Sequence, residues 1–295
     1  MTTYEKFPQV DHGEATGELK ATYDDIRATL RVAWVAFACR VLATFPGYLP
    51  LAWRAARPNF ETRYAERAAV TLRRQSMLPE DPPDLGPELR ELGWDDARID
   101  VVRRSLDALN YGNPKYLLLI TGWSEALQGR PCGGGDEASQ DTARVPLGPP
   151  AGVAPLRLVD PDTASPEVQA LFKRVTDLHY HHGASSDYRV LANWPDYLRL
   201  ALDRVLEPAV RTEEYDAVAR SLLGQARELV RGFPTPAGVG RDAVAASWSN
   251  SEVAGLTGLL FMYQRFICDV TIDMVRLAQA FDGREAATTS PFPVP

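Results

Sequence analysis

Apolar residues recur along this chain at helical spacing. In Gly17–Leu30, Leu19, Tyr23, Ile26 and Leu30 fall on one face and Asp24 and Asp25 on the other. That is the stripe of an amphipathic helix. Ile99, Val102, Leu106 and Leu109 form a second stripe, preceded by Asp95 and Asp96, residues of the type that caps a helix start. Asn113-Pro114 is a further start signal, with proline at the first helical position and Tyr116–Leu127 as the apolar body. Ser165-Pro166 repeats that signal, and Ser249–Ala280 reads as one long helix or two in series. No segment sustains the period-2 alternation of a half-buried strand, so the expected fold is all-α.

The pattern also repeats itself. Cys39–Ala52 reads Cys-Arg-Val-Leu-Ala-Thr-Phe-Pro-Gly-Tyr-Leu-Pro-Leu-Ala, and Tyr188–Ala201 reads Tyr-Arg-Val-Leu-Ala-Asn-Trp-Pro-Asp-Tyr-Leu-Arg-Leu-Ala. The same offset of 149 pairs Ala15–Leu19 with Ala164–Val168, and Tyr23 with Phe172. Arg57-Pro58 then matches Glu207-Pro208 at an offset of 150, which sets Asn113 near Tyr263. The expected architecture is two homologous helical repeats, 1–128 and 156–285, related by a pseudo-twofold axis with the active site between them. Residues 129–155 hold Gly133-Gly134-Gly135 and Pro149-Pro150, a composition that reads as a linker. Residues 286–295 read as a flexible tail.

Composition narrows the function. The chain has 295 residues, 45% hydrophobic and 24% charged, as in ordinary globular proteins. Each half is long enough to bury a core of its own. The net charge is −7 and there is no basic run, which argues against a nucleic-acid partner. An anionic substrate would gain no long-range attraction and must be held by local donors. Met1–Asp11 has no apolar signal region, and the apolar runs Trp34–Cys39 and Tyr116–Ile120 are too short to span a bilayer. Cys39, Cys132 and Cys268 are widely spaced and form no CxxC, which fits a reducing cytoplasm.

Four places stand out as candidate chemistry. Ser186-Asp187 opens a helix after the small residues Gly183-Ala184-Ser185. Either residue can be an N-cap. However, the counterparts of Ser186 and Asp187 in the first repeat are Phe37 and Ala38, whereas a purely structural carboxylate would be wanted in both copies. Trp34 and Phe37 are an aromatic pair that reads as core or as pocket wall, with an indole N–H to donate. Asn113 reads as a helix cap or a polar site residue, and Tyr263 as packing or as a site hydroxyl. The histidines His179, His181 and His182 are the nearest approach to a metal set. They fall at a helix C-terminus, where the dipole favours them, and no second His or Cys cluster completes a site, so no metal is expected. No GxSxG, phosphate loop or strand-associated GxGxxG is present.

Trp34 and Phe37, Asn113-Pro114-Lys115, Ser186-Asp187-Tyr188-Arg189 with Trp194-Pro195-Asp196-Tyr197-Leu198, and Tyr263 together resemble the pattern of the group I 2-haloacid dehalogenases. The resemblance spans nearly the whole chain, and Ser-Asp-Tyr-Arg is its most specific part. It implies hydrolytic removal of halide from C2 of a short 2-haloalkanoic acid without a cofactor. By the same resemblance Asp187 is the general base, Asn113 holds the attacking water, and Trp34, Phe37, Ser186 and Tyr263 line the substrate pocket. The family includes D-specific enzymes and enzymes that accept both enantiomers, a choice on which Ser185 bears, and homo-oligomerisation is common in it, so that the resemblance allows a homodimer here. Direct water attack implies inversion at C2. Attack by Asp187 itself, through an ester, is the alternative. Two competing functions are an alkylhydroperoxidase D-like redox protein, which needs a paired thiol, and a non-catalytic binder of small acids on the same fold.

Overall fold

The computed structural model describes residues 8–294. The first half lays down α1 (Gly17–Leu30), α2 (Phe37–Leu42), α3 (Tyr48–Phe60), α4 (Arg63–Gln75), α5 (Gly86–Glu91) and α6 (Asp96–Leu127). After the helix-free stretch 128–165, the second half lays down α7 (Pro166–His179), α8 (Ser186–Leu191), α9 (Pro195–Ala201), α10 (Glu207–Val210), α11 (Glu213–Arg231), α12 (Arg241–Ala245) and α13 (Asn250–Thr288). Among the described residues no strand forms. A single antiparallel bridge joins Thr62 to Arg144.

The order of elements runs twice, and local details run with it. Thr16 and Ser165 precede α1 and α7, which have 14 residues each, and Ser165 accepts the Val168 N–H at 3.3 Å. Both helices end in a left-handed residue, Arg31 (φ 61°) and Tyr180 (φ 56°), the two non-glycine residues of positive φ among those described. They lie 149 positions apart. The slip to an offset of 150 has a physical site. A π-helical turn, Leu202–Leu206, joins α9 to α10, where α3 runs on as unbroken α-helix. A π turn accommodates one extra residue, and this one lies between the matched Leu-Ala pair and the matched prolines.

The sequence signal at Asn113-Pro114 predicts a helix start, and the structure corrects it. α6 runs through both residues without a break. Proline has no N–H, so the Asn110 carbonyl one turn earlier loses its helical donor. Arg73 supplies the replacement: its Nε and Nη2 both donate to that carbonyl, at 3.1 and 2.8 Å, in a fully buried setting. Asn110 also donates to the Met274 carbonyl at 3.1 Å, tying α6 to α13. Lys115 is anchored by Glu66 at 2.7 Å and the Leu30 carbonyl at 2.9 Å. Asn113 therefore caps nothing, and its side chain is free for the cavity described below.

α6 and α13 pack along each other more extensively than any other pair of elements. One apolar core takes residues from both halves, with a small satellite at Val275, Ala278 and Ala287, so the halves share a core rather than building two. By length and composition alone α13 is long and apolar enough to cross a membrane, but half of its most apolar stretch is buried. Asp269, Asp273 and Arg276 are buried along it too, as suits the central helix of a packed bundle. The stretch 129–155 is held at several points. Arg63 N–H donates to Ala143 O at 2.7 Å, Val145 N–H to Glu61 O at 2.8 Å, and Arg63 and Arg67 both pair with Asp141. At the other end, where the composition suggests a tail, α13 kinks at Gly283 (φ 77°), helix resumes to Thr288, and Phe292 packs edge-on to Tyr111 at 5.1 Å.

The Arg73 bridge is testable by a double-mutant cycle in urea. Arg73→Met is expected to cost about 3 kcal/mol, because it strands a buried carbonyl. Pro114→Ala returns a helical N–H to that carbonyl and should recover about 1 kcal/mol or more of the loss. Strict additivity would mean that Arg73 does not serve the Asn110 carbonyl.

Candidate active site

The six candidate side chains come from five places in the chain and meet at one cavity. Trp34 lies in the α1–α2 loop, Phe37 opens α2, Asn113 sits midway along α6, Ser186 and Asp187 form the first turn of α8, and Tyr263 faces in from α13. All six line a cavity of about 1070 Å³. The internal counterparts Phe37-Ala38 and Ser186-Asp187 face the same space, so the cavity is apolar on one side and carries an acid on the other.

Asp187 is not a helix cap. Ser185 occupies the N-cap position, and α8 starts with Ser186. Asp187 is 4% exposed. Its Oδ1 accepts Asn113 Nδ2 at 2.7 Å, a hydrogen bond between the two halves of the chain. Its Oδ2 accepts the Ser185 hydroxyl at 3.0 Å. Burial pushes its carboxyl up to about 6. The bonds from Asn113 and Ser185 pull the other way, and the charge of Asp273 adds to the rise. The result is a carboxylate that is ionised at neutral pH yet a stronger base than an exposed one.

The walls are aromatic. A Cβ on Gly112 would come within 2.2 Å of the Trp34 ring, so only glycine lets the indole lie against α6 beside Asn113. Tyr116 fixes the Trp34 backbone by donating to its carbonyl at 2.6 Å. Across the cavity Phe37 stacks on His182 at 5.2 Å and meets the edge of Tyr263 at 6.0 Å. Phe266 stacks on the other side of His182 at 5.3 Å. Two hydroxyls in this setting, Ser186 Oγ and Tyr263 Oη, are buried without a protein partner. A buried unpaired hydroxyl costs about 1–3 kcal/mol, so both are ready to bind a polar ligand.

The histidines separate. His182 enters the aromatic wall, while His179 pairs with Asp273 at 2.8 Å and His181 with Asp269 at 3.0 Å. Ligand atoms of His179, His181 and Asp269 lie within 4.8 Å of one another, but each histidine already faces a carboxylate. Burial pushes the Cys39 thiol up to about 12 and raises that of Cys268 as well. Burial raises the half-buried Cys132 thiol too, so all three are held toward the thiol form, whereas the redox reading needs a paired, reactive thiolate. Phe266 at the cavity escapes the sequence signals, while the sequence marks Ser185 only for enantiomer choice and His181 only as a metal candidate. Ser185 reads as loop in the sequence, and Phe266 is one aromatic among several on an apolar helix.

Comparison with known proteins places the chain. The family described as "Halocarboxylic acid dehydrogenase DehI" matches residues 33–188. A "2-haloacid dehalogenase, configuration-inverting" of Alcaligenes xylosoxydans xylosoxydans is 55% identical over the whole of both chains. One of the same description from Pseudomonas sp. (strain 113) is 46% identical over 98% of this chain and 95% of the relative. An "(R)-2-haloacid dehalogenase" of Pseudomonas putida is 28% identical over 92% and 91%. A solved structure of a D-2-haloacid dehalogenase mutant in complex with D-2-CPA superposes with a TM-score of 0.86, at 26% identity over 93% of this chain and 96% of that one. The all-helical fold is thus shared with D-2-haloacid dehalogenase. The chain belongs to the DehI family.

Because the Asp187 carboxyl is raised from 3.8 to about 6, the folded protein holds that proton more tightly than the unfolded chain. The contribution of this group to stability therefore falls as pH rises through this window. Asp187→Asn should raise stability at pH 7 by about 1–3 kcal/mol, with the gain fading toward pH 4; a variant less stable than wild type at pH 7 contradicts this. Gly112→Ala should displace Trp34 and cost about 1–3 kcal/mol, seen as a lower Tm and a changed near-ultraviolet tryptophan signal.

Proposed function

We propose that the chain is a cofactor-independent hydrolase that removes halide from C2 of short 2-haloalkanoic acids by direct attack of water, with inversion. The observation that carries this reading is the Asn113–Asp187 hydrogen bond of 2.7 Å at the wall of an aromatic cavity. An amide beside a carboxylate can hold one water between them. Asn113 fixes its place, and Asp187 takes its proton as the O–C2 bond forms. The C2–halide bond breaks on the opposite side, and the halide leaves with the bonding pair. Asp187 then returns its proton to solvent.

Several features support the remaining roles. The substrate carboxylate needs O–H and N–H donors, and the unpaired hydroxyls of Ser186 and Tyr263 suit it, as does the Trp34 indole. Phe37 and its aromatic neighbours form a wall that keeps competing water away and strengthens those contacts. Both oxygens of Asp187 already accept hydrogen bonds, from Asn113 and from Ser185. Such bonds hold both oxygens in place and leave each a lone pair to accept a proton from water. The names of the curated relatives, configuration-inverting among them, point the same way. We also propose that the site works in the cytoplasm, with no membrane or nucleic-acid partner, and that a homodimer is compatible with it.

Halide release from each enantiomer of 2-chloropropionate and 2-bromopropionate tests the activity. A single turnover in ¹⁸O water, with enzyme in excess, should place the label in the 2-hydroxy acid; unlabelled product would mean that Asp187 supplied the oxygen. Asp187→Asn should lower kcat by about 10²–10⁴ while the protein stays folded. kcat/KM should climb with pH through about 6 and level off above it, since only the ionised carboxylate accepts a proton. Unchanged turnover in Asp187→Asn removes this residue from the mechanism.

A further inference from the structure

Behind Asp187 lies a buried charged group that the reaction above does not use. Asp269 and Asp273 stand one turn apart on α13, both buried. Asp273 accepts the hydroxyl of Tyr188 on α8 and that of Tyr215 on α11, the latter at 2.9 Å, and pairs with His179 at the end of α7. Asp269 pairs with His181 from the α7–α8 loop and with Arg265, at 3.0 and 3.1 Å. Arg265 continues to Asp216 on α11, and Arg276 acts on Asp273 from farther along α13. The His179 and His181 rings stack at 4.9 Å, so two positive charges there would repel.

Charge balance assigns the protons. Arg265 answers one carboxylate, and the other requires one cation. Burial works against a charged His179, but the charge of Asp273 and its hydrogen bond outweigh it and hold this imidazole above its ordinary range. Burial pulls His181 below that range, towards the neutral form. The group is confined to the half that carries the acid. At the offset of 149, His179, His181, Asp187 and Tyr188 correspond to Leu30, Val32, Ala38 and Cys39. Where the chain lacks the acid, it also lacks the phenol and both histidines.

We propose that Asp273, acting through the Tyr188 hydroxyl, is a positioning residue for Asp187, and that its contact with His179 holds Asp273 in place. The proposal rests on the reading of Asp187 as the base. Tyr188 follows Asp187 directly and is fully buried, so its bond to Asp273 pins the first turn of a helix only six residues long. The same aspartate acts on the base through its charge, one of the causes that raise the Asp187 carboxyl. The coupling therefore has a mechanical part, which sets where Asp187 points, and an electrostatic part, which sets how readily it takes a proton.

The two parts give different readouts. Asp273→Asn removes the charge but keeps the shape, so the acid limb of kcat/KM should move to lower pH. Tyr188→Phe removes the link and leaves the charge, so kcat should fall about tenfold with little change in KM. A purely structural role would lower activity without moving the limb, and an acid limb of Asp273→Asn at the wild-type position overturns the proposal. Should Asp273→Asn fail to fold, His179→Gln reads the same coupling with opposite sign: the uncompensated Asp273 charge moves the limb to higher pH, and an unmoved limb is again fatal. Asp187→Asn separates the two levels. If it is inactive while the limbs stay put, only the positioning proposal falls; if it retains turnover, the base reading falls and takes this one with it.

Discussion

A buried carboxylate is expensive unless donors meet it, and the hydrogen bond from Asn113 to Asp187 meets this one across the boundary between the halves. Much else in the structure serves that contact. Asn113 can point into the cavity only because α6 continues through Pro114, and α6 continues because Arg73 takes up the carbonyl that the proline leaves unpaired. Gly112, one residue earlier, gives room for the Trp34 ring. On the other side Ser185 caps the position of Asp187 in space rather than the helix in sequence, by donating to its second oxygen.

The site keeps part of its free energy in reserve. Asp187 is ionised in a place that disfavours ionisation, and Ser186 and Tyr263 hold hydroxyls away from water with nothing to bond. Residues of this kind lower the stability of the free protein and find their partners in a ligand, the usual tension between a stable core and a working site. The two halves of the chain share that tension unequally. The first half supplies Trp34, Phe37 and the amide, and the second supplies the acid with its hydroxyls, the rest of the aromatic wall and the charged group behind it.

Much of this was legible in the sequence, and the illegible parts share a cause. The bounds of α1 follow from its apolar stripe, the start of α7 from Ser165-Pro166, and the start of α13 from Ser249, which forms a capping box with Glu252. All of these signals are local. The duplication made Asp187 conspicuous, because its counterpart is alanine in matched surroundings. The continuity of α6 was not legible: its donor comes from Arg73, far back along the chain, and no local pattern announces it. Nor was the hold on Asp141 and Phe292, which fixes segments whose composition suggests mobility. The aspartates of α13 look in sequence like surface charges on an apolar helix. Only the fold brings His179, Tyr188 and Tyr215 against Asp273.

The central claim is that Asn113 and Asp187 act as one unit on one water. A double-mutant cycle in kcat/KM for a 2-halopropionate, with Asn113→Ala, Asp187→Asn and the pair, tests it most directly. If the two share a water, the double variant is no slower than Asp187→Asn alone, because the amide has nothing left to serve. Losses that multiply, so that the double variant is slower by the product of the two single effects, would show independent roles and contradict the account.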